Sequence, residues 1–243
     1  MKAADRLIVA LDVTDEASAL RMARRVRGLA RIVKVGSALF TACGPPVIRR
    51  LQALGFGVML DLKFFDIPST VELSCRSAAQ LGVAMLTVHA SGGRAMLAAA
   101  AHGARDEARR LRTTRPKILA VTVLTSDGGS RSSTVRKQVT ALAQEALAAG
   151  CDGVVASAHE AAALRRAFGR QPLIVCPGMR LATTLRGGAS RGSRDDQRRI
   201  CTPAEALALG ASFLVVGRPI TAARHPQRAA QRILEEMEGS AAC

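Results

Sequence analysis

The stretch of sequence that decides the fold is Phe56-Gly-Val-Met-Leu-Asp61-Leu-Lys63-Phe-Phe-Asp66-Ile-Pro68-Ser-Thr70. It begins with an apolar run that contains a glycine, and a short run of this kind predicts a buried strand. Side chains two positions apart on a strand point to the same side, so Asp61 and Lys63 are expected to project together. Asp66 follows in the predicted turn, and Pro68 can open the next helix, where its missing N–H costs nothing.

The charged pair at the end of this strand has two possible interpretations. A carboxylate and an ammonium are costly to bury unless they are paired or take part in chemistry. Asp61 and Lys63 therefore form either a structural salt bridge that closes the strand or part of a functional site. The residues at the ends of the other strands decide between the two.

Short apolar runs recur along the whole chain and alternate with segments of helical period. The predicted strands are 7–11, 32–35, 57–60, 85–88, 118–123, 153–156, 173–176 and 213–216. The predicted helices are 16–26, 45–54, 70–81, 93–112, 133–149, 160–168, 203–209 and 226–237. Eight strand–helix units in 243 residues are typical of an α/β protein with a (β/α)8 TIM barrel.

A doubly wound open sheet is the alternative architecture. Such a sheet usually carries a glycine-rich phosphate loop after its first strand, and Leu11-Asp-Val-Thr-Asp-Glu contains no glycine. The sequence shows no linker or break in composition, so we expect a single domain over 1–243. One long irregular segment, 181–196, is rich in Gly, Ser, Thr and Arg, and we interpret it as a lid loop on the phosphate side.

Composition limits the functional classes. Hydrophobic residues make up 49% of the chain, but no apolar run approaches the roughly 20 residues of a membrane helix. The N-terminus lacks the apolar core of a signal peptide. The six cysteines show no C-x-x-C spacing, which favours reduced thiols over disulfides or zinc. We therefore expect a cytoplasmic protein that has no membrane partner.

The net charge of +16 suggests a nucleic-acid-binding protein as an alternative. The chain has no Trp or Tyr and only 2% aromatic residues, so surfaces for base stacking are scarce. Its arginines are also spread along the chain. We expect no nucleic-acid partner; the charge fits either solvated helix faces or attraction of a small anionic substrate.

In barrels of this kind the chemistry takes place at the C-terminal ends of the strands. The polar residues at the predicted ends are Asp12, Lys34, Asp61, Lys63, His89, Thr125, Ser126, Arg180, Gly217 and Arg218. The first four are expected to form an alternating acid–base cluster at one mouth of the barrel. Gly217 and Arg218 follow the last strand, where barrels commonly bind phosphate. His89 lies outside the acid–base cluster and is expected to make a structural hydrogen bond.

These residues resemble the bacterial type of the orotidine 5′-phosphate decarboxylase family nearly from end to end. The matching segments are Ala10-Leu-Asp12, Lys34-Val-Gly36, Asp61-x-Lys63-x-x-Asp66-Ile-Pro-x-Thr70, Val88-His-Ala-Ser-Gly-Gly93, Ala120-Val-Thr-Val-Leu-Thr-Ser126, Pro177-Gly-Met-Arg180, Asp196-Gln-Arg-Arg-Ile200 and Val216-Gly-Arg-Pro219. Sugar-phosphate enzymes of the same barrel superfamily share the D-x-K-x-x-D motif alone. The complete set in this order is specific to the decarboxylases.

The resemblance implies decarboxylation of orotidine 5′-monophosphate to uridine 5′-monophosphate, the last step of UMP biosynthesis, without cofactor or metal. It implies that Lys63 protonates C6 of the pyrimidine as carbon dioxide leaves. Asp61 would lie against the substrate carboxylate, and Lys34 would link Asp61 to the ribose. Asp12 would take a ribose hydroxyl.

The resemblance also implies a homodimer with shared active sites, in which Asp66 and Thr70 reach into the site of the neighbouring subunit. Thr125 and Ser126 would contact the pyrimidine edge. The implied phosphate-binding set is Arg180, Gln197, Gly217 and Arg218, with Gln197 also facing the base. The segment before Gln197 is longer and more basic than the family pattern, so this assignment rests on Asp-Gln-Arg-Arg rather than on spacing.

A magnesium-dependent sugar-phosphate decarboxylase or aldolase of the same superfamily is the nearest alternative. That activity calls for an acidic residue beside the predicted second strand to bind the metal. This chain has Lys34-Val-Gly-Ser there, and an ammonium would repel a cation. Two further departures from the decarboxylase pattern are Phe65, where many members have His, and Ser69, where they often have Asn.

Overall fold

A computed structural model of the protein describes residues 2–123, 133–181 and 201–239. Eight parallel strands form a closed barrel in chain order, and the eighth pairs with the first. The strands are β1 Leu7–Ala10, β2 Ile32–Gly36, β3 Gly57–Phe64, β4 Met85–His89, β5 Lys117–Val121, β6 Gly153–Val155, β7 Leu173–Cys176 and β8 Phe213–Val216. The predicted (β/α)8 barrel is therefore confirmed, and each predicted strand has a counterpart.

Helices connect the strands on the outside of the barrel. The α-helices in the described residues are α1 Ala3–Arg6, α2 Glu16–Val26, α3 Ser37–Cys43, α4 Pro46–Ala53, α5 Pro68–Gln80, α6 Gly93–Leu111, α7 Ser133–Ala148, α8 Ala158–Phe168, α9 Pro203–Ala208, α10 Arg218–Thr221 and α11 Pro226–Gly239. The short helices α1, α3 and α10 were not predicted, because four to seven residues carry too little periodicity to reveal a helix. Within the described ranges, no helix is both long and apolar enough to cross a membrane.

The strands separate two apolar layers because successive side chains point to opposite faces. Odd-numbered residues of β1, such as Leu7 and Val9, pack in the outer layer against the helices. Ile8 and Ala10 instead belong to a smaller cluster with Met59 of β3 and other inward side chains. This inner cluster fills the barrel, and polar side chains begin where it ends, at the C-terminal mouth.

Strand β3 differs from its prediction in length and in regularity. It was expected at 57–60 but continues to Phe64, since Asp61 still pairs with Gly36 and Phe64 pairs with Val88. The register shifts between Leu60 and Phe64, and Lys63 has a left-handed φ of 51°. Asp61 and Lys63 therefore do not lie on a regular strand, and their relative placement does not follow from the alternation of side chains along one.

Candidate active site

A cavity of about 470 Å³ opens at the C-terminal mouth of the barrel. Seven of the residues predicted for the site line it, namely Asp12, Lys34, Asp61, Lys63, Arg180, Gly217 and Arg218. Asp66 and Thr70 are exposed and lie outside its lining. Thr125, Ser126, Gln197 and all but the first residue of the predicted lid 181–196 lie outside the described residues.

Four charged side chains form a chain of ion pairs across the mouth. Lys34 Nζ lies 2.8 Å from Asp12 Oδ1 and 3.5 Å from Asp61 Oδ2. Lys63 Nζ lies 2.9 Å from Asp61 Oδ1. The order is thus acid, base, acid, base, with Lys63 as the terminal group beside the cavity.

The strand register explains why these groups meet. Ala10 pairs with Lys34, and Gly36 pairs with Asp61, so the ends of β1, β2 and β3 are neighbours. Lys34 follows Ile32 on the inward face and Asp61 follows Met59, which places each charge one step beyond the inner apolar cluster. Pairing of neighbouring strands therefore brings residues that are far apart in the sequence into one compact charged group.

Burial and charge act against each other in this group. Burial alone would lower the pKa of Lys34, but the negative charges of Asp61 and Asp12 outweigh it and raise this pKa. Burial alone would raise the pKa of Asp61, but the positive charges of Lys34 and Lys63 outweigh it and hold this pKa below its usual value. Both groups are therefore charged at neutral pH, and each stabilises the other.

Thr87 was not among the predicted site residues, and it is completely buried on β4. Its hydroxyl donates to Asp61 Oδ1 over 3.0 Å and accepts from the backbone N–H of Lys63, also over 3.0 Å. The alternation of side chains along β4 could have indicated this residue. Thr87 lies two positions from both Met85 and His89, which places a polar side chain on the inward face of the strand.

His89 ends β4 beside the same group. Its ring meets the Phe65 ring in an edge-on contact with centroids 5.7 Å apart. Burial, together with the positive charge of Lys63, lowers the pKa of His89, which favours a neutral imidazole at pH 7. His89 thus contributes packing at the rim of the charged group rather than another charge.

The segment after β3 presents apolar side chains to solvent. Phe65 is 61% exposed, Ile67 is 64% exposed and Leu73 on α5 is 65% exposed. Asp66 lies between the first two, and its Oδ1 accepts a hydrogen bond from the Ile67 N–H. These three side chains are the most exposed of the large apolar residues that the structure describes.

The residues predicted to bind phosphate form a second group in the cavity lining. Arg218 begins α10 directly after Gly217, and both line the cavity. A Cβ on Gly217 would lie 3.4 Å from Asp12 Oδ2, which places the start of α10 in van der Waals reach of the charged group. The Arg180 N–H donates to the Cys201 carbonyl, which ties the end of β7 to the start of the next described segment.

Comparison with known proteins identifies the family. Residues 5–233 match the model of the "Orotidine 5'-phosphate decarboxylase / HUMPS family". The chain belongs to this family.

Two relatives named orotidine 5′-phosphate decarboxylase show how far the similarity extends. The protein from Moorella thermoacetica is 48% identical, with 98% of this chain and 94% of the relative covered. The protein from Syntrophotalea carbinolica is 47% identical, with 98% and 96% covered.

A solved structure supports the same assignment. The crystal structure of orotidine 5′-phosphate decarboxylase from Lactobacillus acidophilus superposes with a TM-score of 0.79 at 35% sequence identity. The alignment covers 96% of this chain and 99% of that structure. Family, relatives and fold therefore agree over nearly the whole chain.

Proposed function

We propose that this member of the orotidine 5′-phosphate decarboxylase / HUMPS family converts orotidine 5′-monophosphate to uridine 5′-monophosphate and carbon dioxide in the cytoplasm, as the last step of UMP biosynthesis. The observation that carries the proposal is the ion-pair chain from Asp12 to Lys63 at the mouth of the barrel. Lys34 in the middle of that chain would repel a metal ion, which favours decarboxylation without a cofactor over a magnesium-dependent reaction.

Lys63 supplies the central chemistry in this proposal. Loss of carbon dioxide leaves an electron pair at C6 of the pyrimidine, in an orbital that the ring π system cannot accept. An ammonium fixed beside C6 stabilises that developing charge and then delivers the proton. Lys63 fits this role because it lines the cavity and is held by Asp61 at 2.9 Å.

The other members of the ion-pair chain position the substrate. Asp61 lies against the departing carboxylate, where repulsion disfavours the bound substrate relative to the transition state. Lys34 joins Asp61 to the ribose, and Asp12 accepts a hydrogen bond from a ribose hydroxyl. Each role uses a side chain whose charge is already balanced by a neighbour.

One lysine does not account for the whole acceleration. Decarboxylation of this kind needs roughly 20 kcal/mol or more of transition-state stabilisation. Binding energy from the remote phosphate supplies part of it by closing and desolvating the site. We assign the phosphate to Arg180, Gln197, Gly217 and Arg218, the pyrimidine edge to Thr125 and Ser126, and the lid to 181–196.

The active site is shared between two subunits in this proposal. Asp66 and Thr70 are exposed beside the apolar surface of Phe65 and Ile67, outside the cavity of their own chain. A two-fold dimer that covers this surface would carry each Asp66 towards the partner's site. Two sites then form, each with Lys63 from one chain and Asp66 from the other.

The activity is tested by following the loss of ultraviolet absorbance when purified protein is added to orotidine 5′-monophosphate. We expect turnover at the same rate with and without a chelator. Turnover that disappears in chelator and returns with magnesium would favour the metal-dependent alternative. No turnover under either condition would reject the proposed function.

The shared site is tested by mixing two inactive variants. Lys63→Ala and Asp66→Ala homodimers should both be nearly inactive, and unfolding and refolding them together in equal amounts gives about half mixed dimers. One site of a mixed dimer carries both substitutions and the other carries none, so about a quarter of wild-type activity should return. If subunit exchange is verified and no activity returns, Asp66 acts within its own chain.

A further inference from the structure

The Thr87 hydroxyl joins the two residues that the proposed reaction depends on most. It donates to Asp61 Oδ1 and accepts from the Lys63 backbone N–H, with both distances at 3.0 Å. A hydroxyl has one proton and two acceptor lone pairs, so one oxygen can make both contacts at once. The side chain is completely buried, and water therefore does not substitute for either contact.

The contact to Lys63 falls where the backbone is irregular. Lys63 has a left-handed φ of 51°, and the register of β3 against β4 shifts between Leu60 and Phe64. A non-glycine residue persists in this conformation only when its surroundings hold it there. The Thr87 hydroxyl provides such a constraint, because it binds the N–H of the strained residue itself.

The contact to Asp61 determines where the Lys63 ammonium lies. Asp61 Oδ1 receives both the Thr87 hydroxyl and Lys63 Nζ, the latter at 2.9 Å. Thr87 thus holds Lys63 at its backbone directly and at its ammonium through the carboxylate. Without the hydroxyl, the Lys63 backbone N–H loses its acceptor, and the Asp61 carboxylate that pairs with the ammonium loses one of its donors.

We propose that Thr87 is a positioning residue for the decarboxylation, whose hydroxyl holds the Asp61 carboxylate and the Lys63 backbone in the relative geometry that aims the ammonium at C6. The inference rests on the proposed function and assigns a role within the same site. Thr87 does not line the cavity, so it acts through Asp61 and Lys63 rather than on the substrate.

Three variants test this role. Thr87→Val removes the hydroxyl and keeps a β-branched shape, Thr87→Ser keeps the hydroxyl, and Thr87→Ala removes the hydroxyl without adding a methyl group in its place. Thr122→Val is the matched control, because Thr122 is also buried, directly after β5, and its hydroxyl donates to the Val155 carbonyl at 3.0 Å. Each protein is compared with wild type for kcat and KM on orotidine 5′-monophosphate, kcat/KM on the phosphate-free nucleoside, binding of uridine 5′-monophosphate and stability in urea.

Misplacing a reacting group by about 1 Å can cost roughly 100-fold in rate, so we expect kcat of Thr87→Val to fall by about that factor. KM and product binding should change by less than about threefold, since the phosphate contacts are untouched. The loss should be equal on nucleotide and nucleoside, and Thr87→Ser should recover most of it. Thr122→Val should lose stability without this loss of kcat.

Three results would overturn the role. The first is a Thr87→Val protein that keeps more than about a third of wild-type kcat, which excludes the misplacement effect. The second is a loss of kcat in Thr122→Val as large as in Thr87→Val, and the third is a loss on the nucleotide alone.

If Thr87→Val does not fold, Thr87→Ala takes its place. Its kcat is then calculated per site that binds uridine 5′-monophosphate, and the same criteria apply. An inactive wild type would reject the proposed function and this inference together, whereas an active wild type with an equally active Thr87→Val would reject the inference alone.

Discussion

Two clusters of one aspartate and two cations lie at opposite ends of the barrel. The mouth cluster is Asp61 with Lys34 and Lys63, at the C-terminal ends of the strands. The bottom cluster is Asp152 with Arg115 and Lys117, at the N-terminal ends of β5 and β6. The two carboxylates are equally buried, each with 11% of its side chain exposed. Composition and burial alone therefore do not distinguish a functional cluster from a structural one.

The donors around each carboxylate do distinguish them. Asp152 accepts two hydrogen bonds from the Arg115 guanidinium, at 2.6 and 2.8 Å, one from the Ile118 N–H at 2.9 Å and one from Lys117 at 3.1 Å. A planar guanidinium and a backbone N–H are rigid donors, so they lock the start of β5 to β6. Asp61 instead pairs with two lysines, and each ammonium has three N–H donors, so some of them can be shared with a bound substrate. The arrangement whose donors are directed at one carboxylate suits stability, and the one with donors left for a substrate suits chemistry.

The largest difference between the clusters is expected from removing each aspartate's charge. Asp61→Asn should lower kcat/KM on orotidine 5′-monophosphate by at least about 100-fold, because the Lys63 ammonium loses its partner. Asp152→Asn is the matched control and should keep kcat/KM within about threefold of wild type, since it lies at the end of the barrel where residues serve stability. Similar kinetic losses in both variants would show that the two clusters do not differ in role.

Arg218 tests whether the mouth of the barrel has a distinct phosphate side. Arg218→Ala should lower kcat/KM on the nucleotide by roughly 100-fold, since hydrogen bonds to charged groups contribute about 1.5–3 kcal/mol each. The phosphate-free nucleoside should be almost unaffected. The exposed Arg224 provides a control for the loss of one positive charge, through Arg224→Ala. Equal losses of Arg218→Ala on both substrates would mean that the residue acts through folding.

A smaller effect, on stability, is expected at the bottom cluster. Burial alone would raise the pKa of Asp152, but hydrogen bonds from Arg115, the Ile118 N–H and Lys117 outweigh it and lower this pKa. A lowered pKa stabilises the folded state above the unfolded value of about 3.9, and this stabilisation is lost as pH falls through the lower folded value. Asp152→Asn should therefore cost about 1–3 kcal/mol in urea unfolding at pH 7. The difference from wild type should shrink below about pH 4, and a difference that does not change with pH would contradict this origin.

The comparison also shows what a single sequence can and cannot predict. The mouth cluster was predicted because parallel strands bring their C-terminal ends together, so Lys34, Asp61 and Lys63 were expected to meet. The bottom cluster was not predicted, because the search for charged residues covered only the C-terminal strand ends, where such barrels carry their chemistry, although Arg115 and Asp152 also lie beside neighbouring strands. The left-handed backbone of Lys63 was also missed, since it depends on contacts with a neighbouring strand.

Thr87 illustrates the same limit at the level of one side chain. Its position on β4 places a polar residue on the inward face, but threonine is common in strands, so position alone does not identify the partners of its hydroxyl. Only the paired geometry of β3 and β4 shows that its hydroxyl meets Asp61 and Lys63. The exposure of the apolar side chains of Phe65 and Ile67 could not be predicted from the sequence either, because exposure depends on how the chain folds after β3.

The most direct test of the central claim compares the two lysines that pair with these aspartates. Lys63 Nζ lies 2.9 Å from Asp61 and Lys117 Nζ lies 3.1 Å from Asp152, so each substitution to alanine breaks one similar ion pair. Decarboxylation of orotidine 5′-monophosphate is measured for Lys63→Ala and Lys117→Ala side by side, with circular dichroism as a check on folding. If Lys63 is the proton donor, Lys63→Ala should retain less than about 1% of wild-type activity, whereas Lys117→Ala should remain close to wild type. A folded Lys63→Ala protein with clearly more activity than that, or an equal loss in Lys117→Ala, would contradict the account.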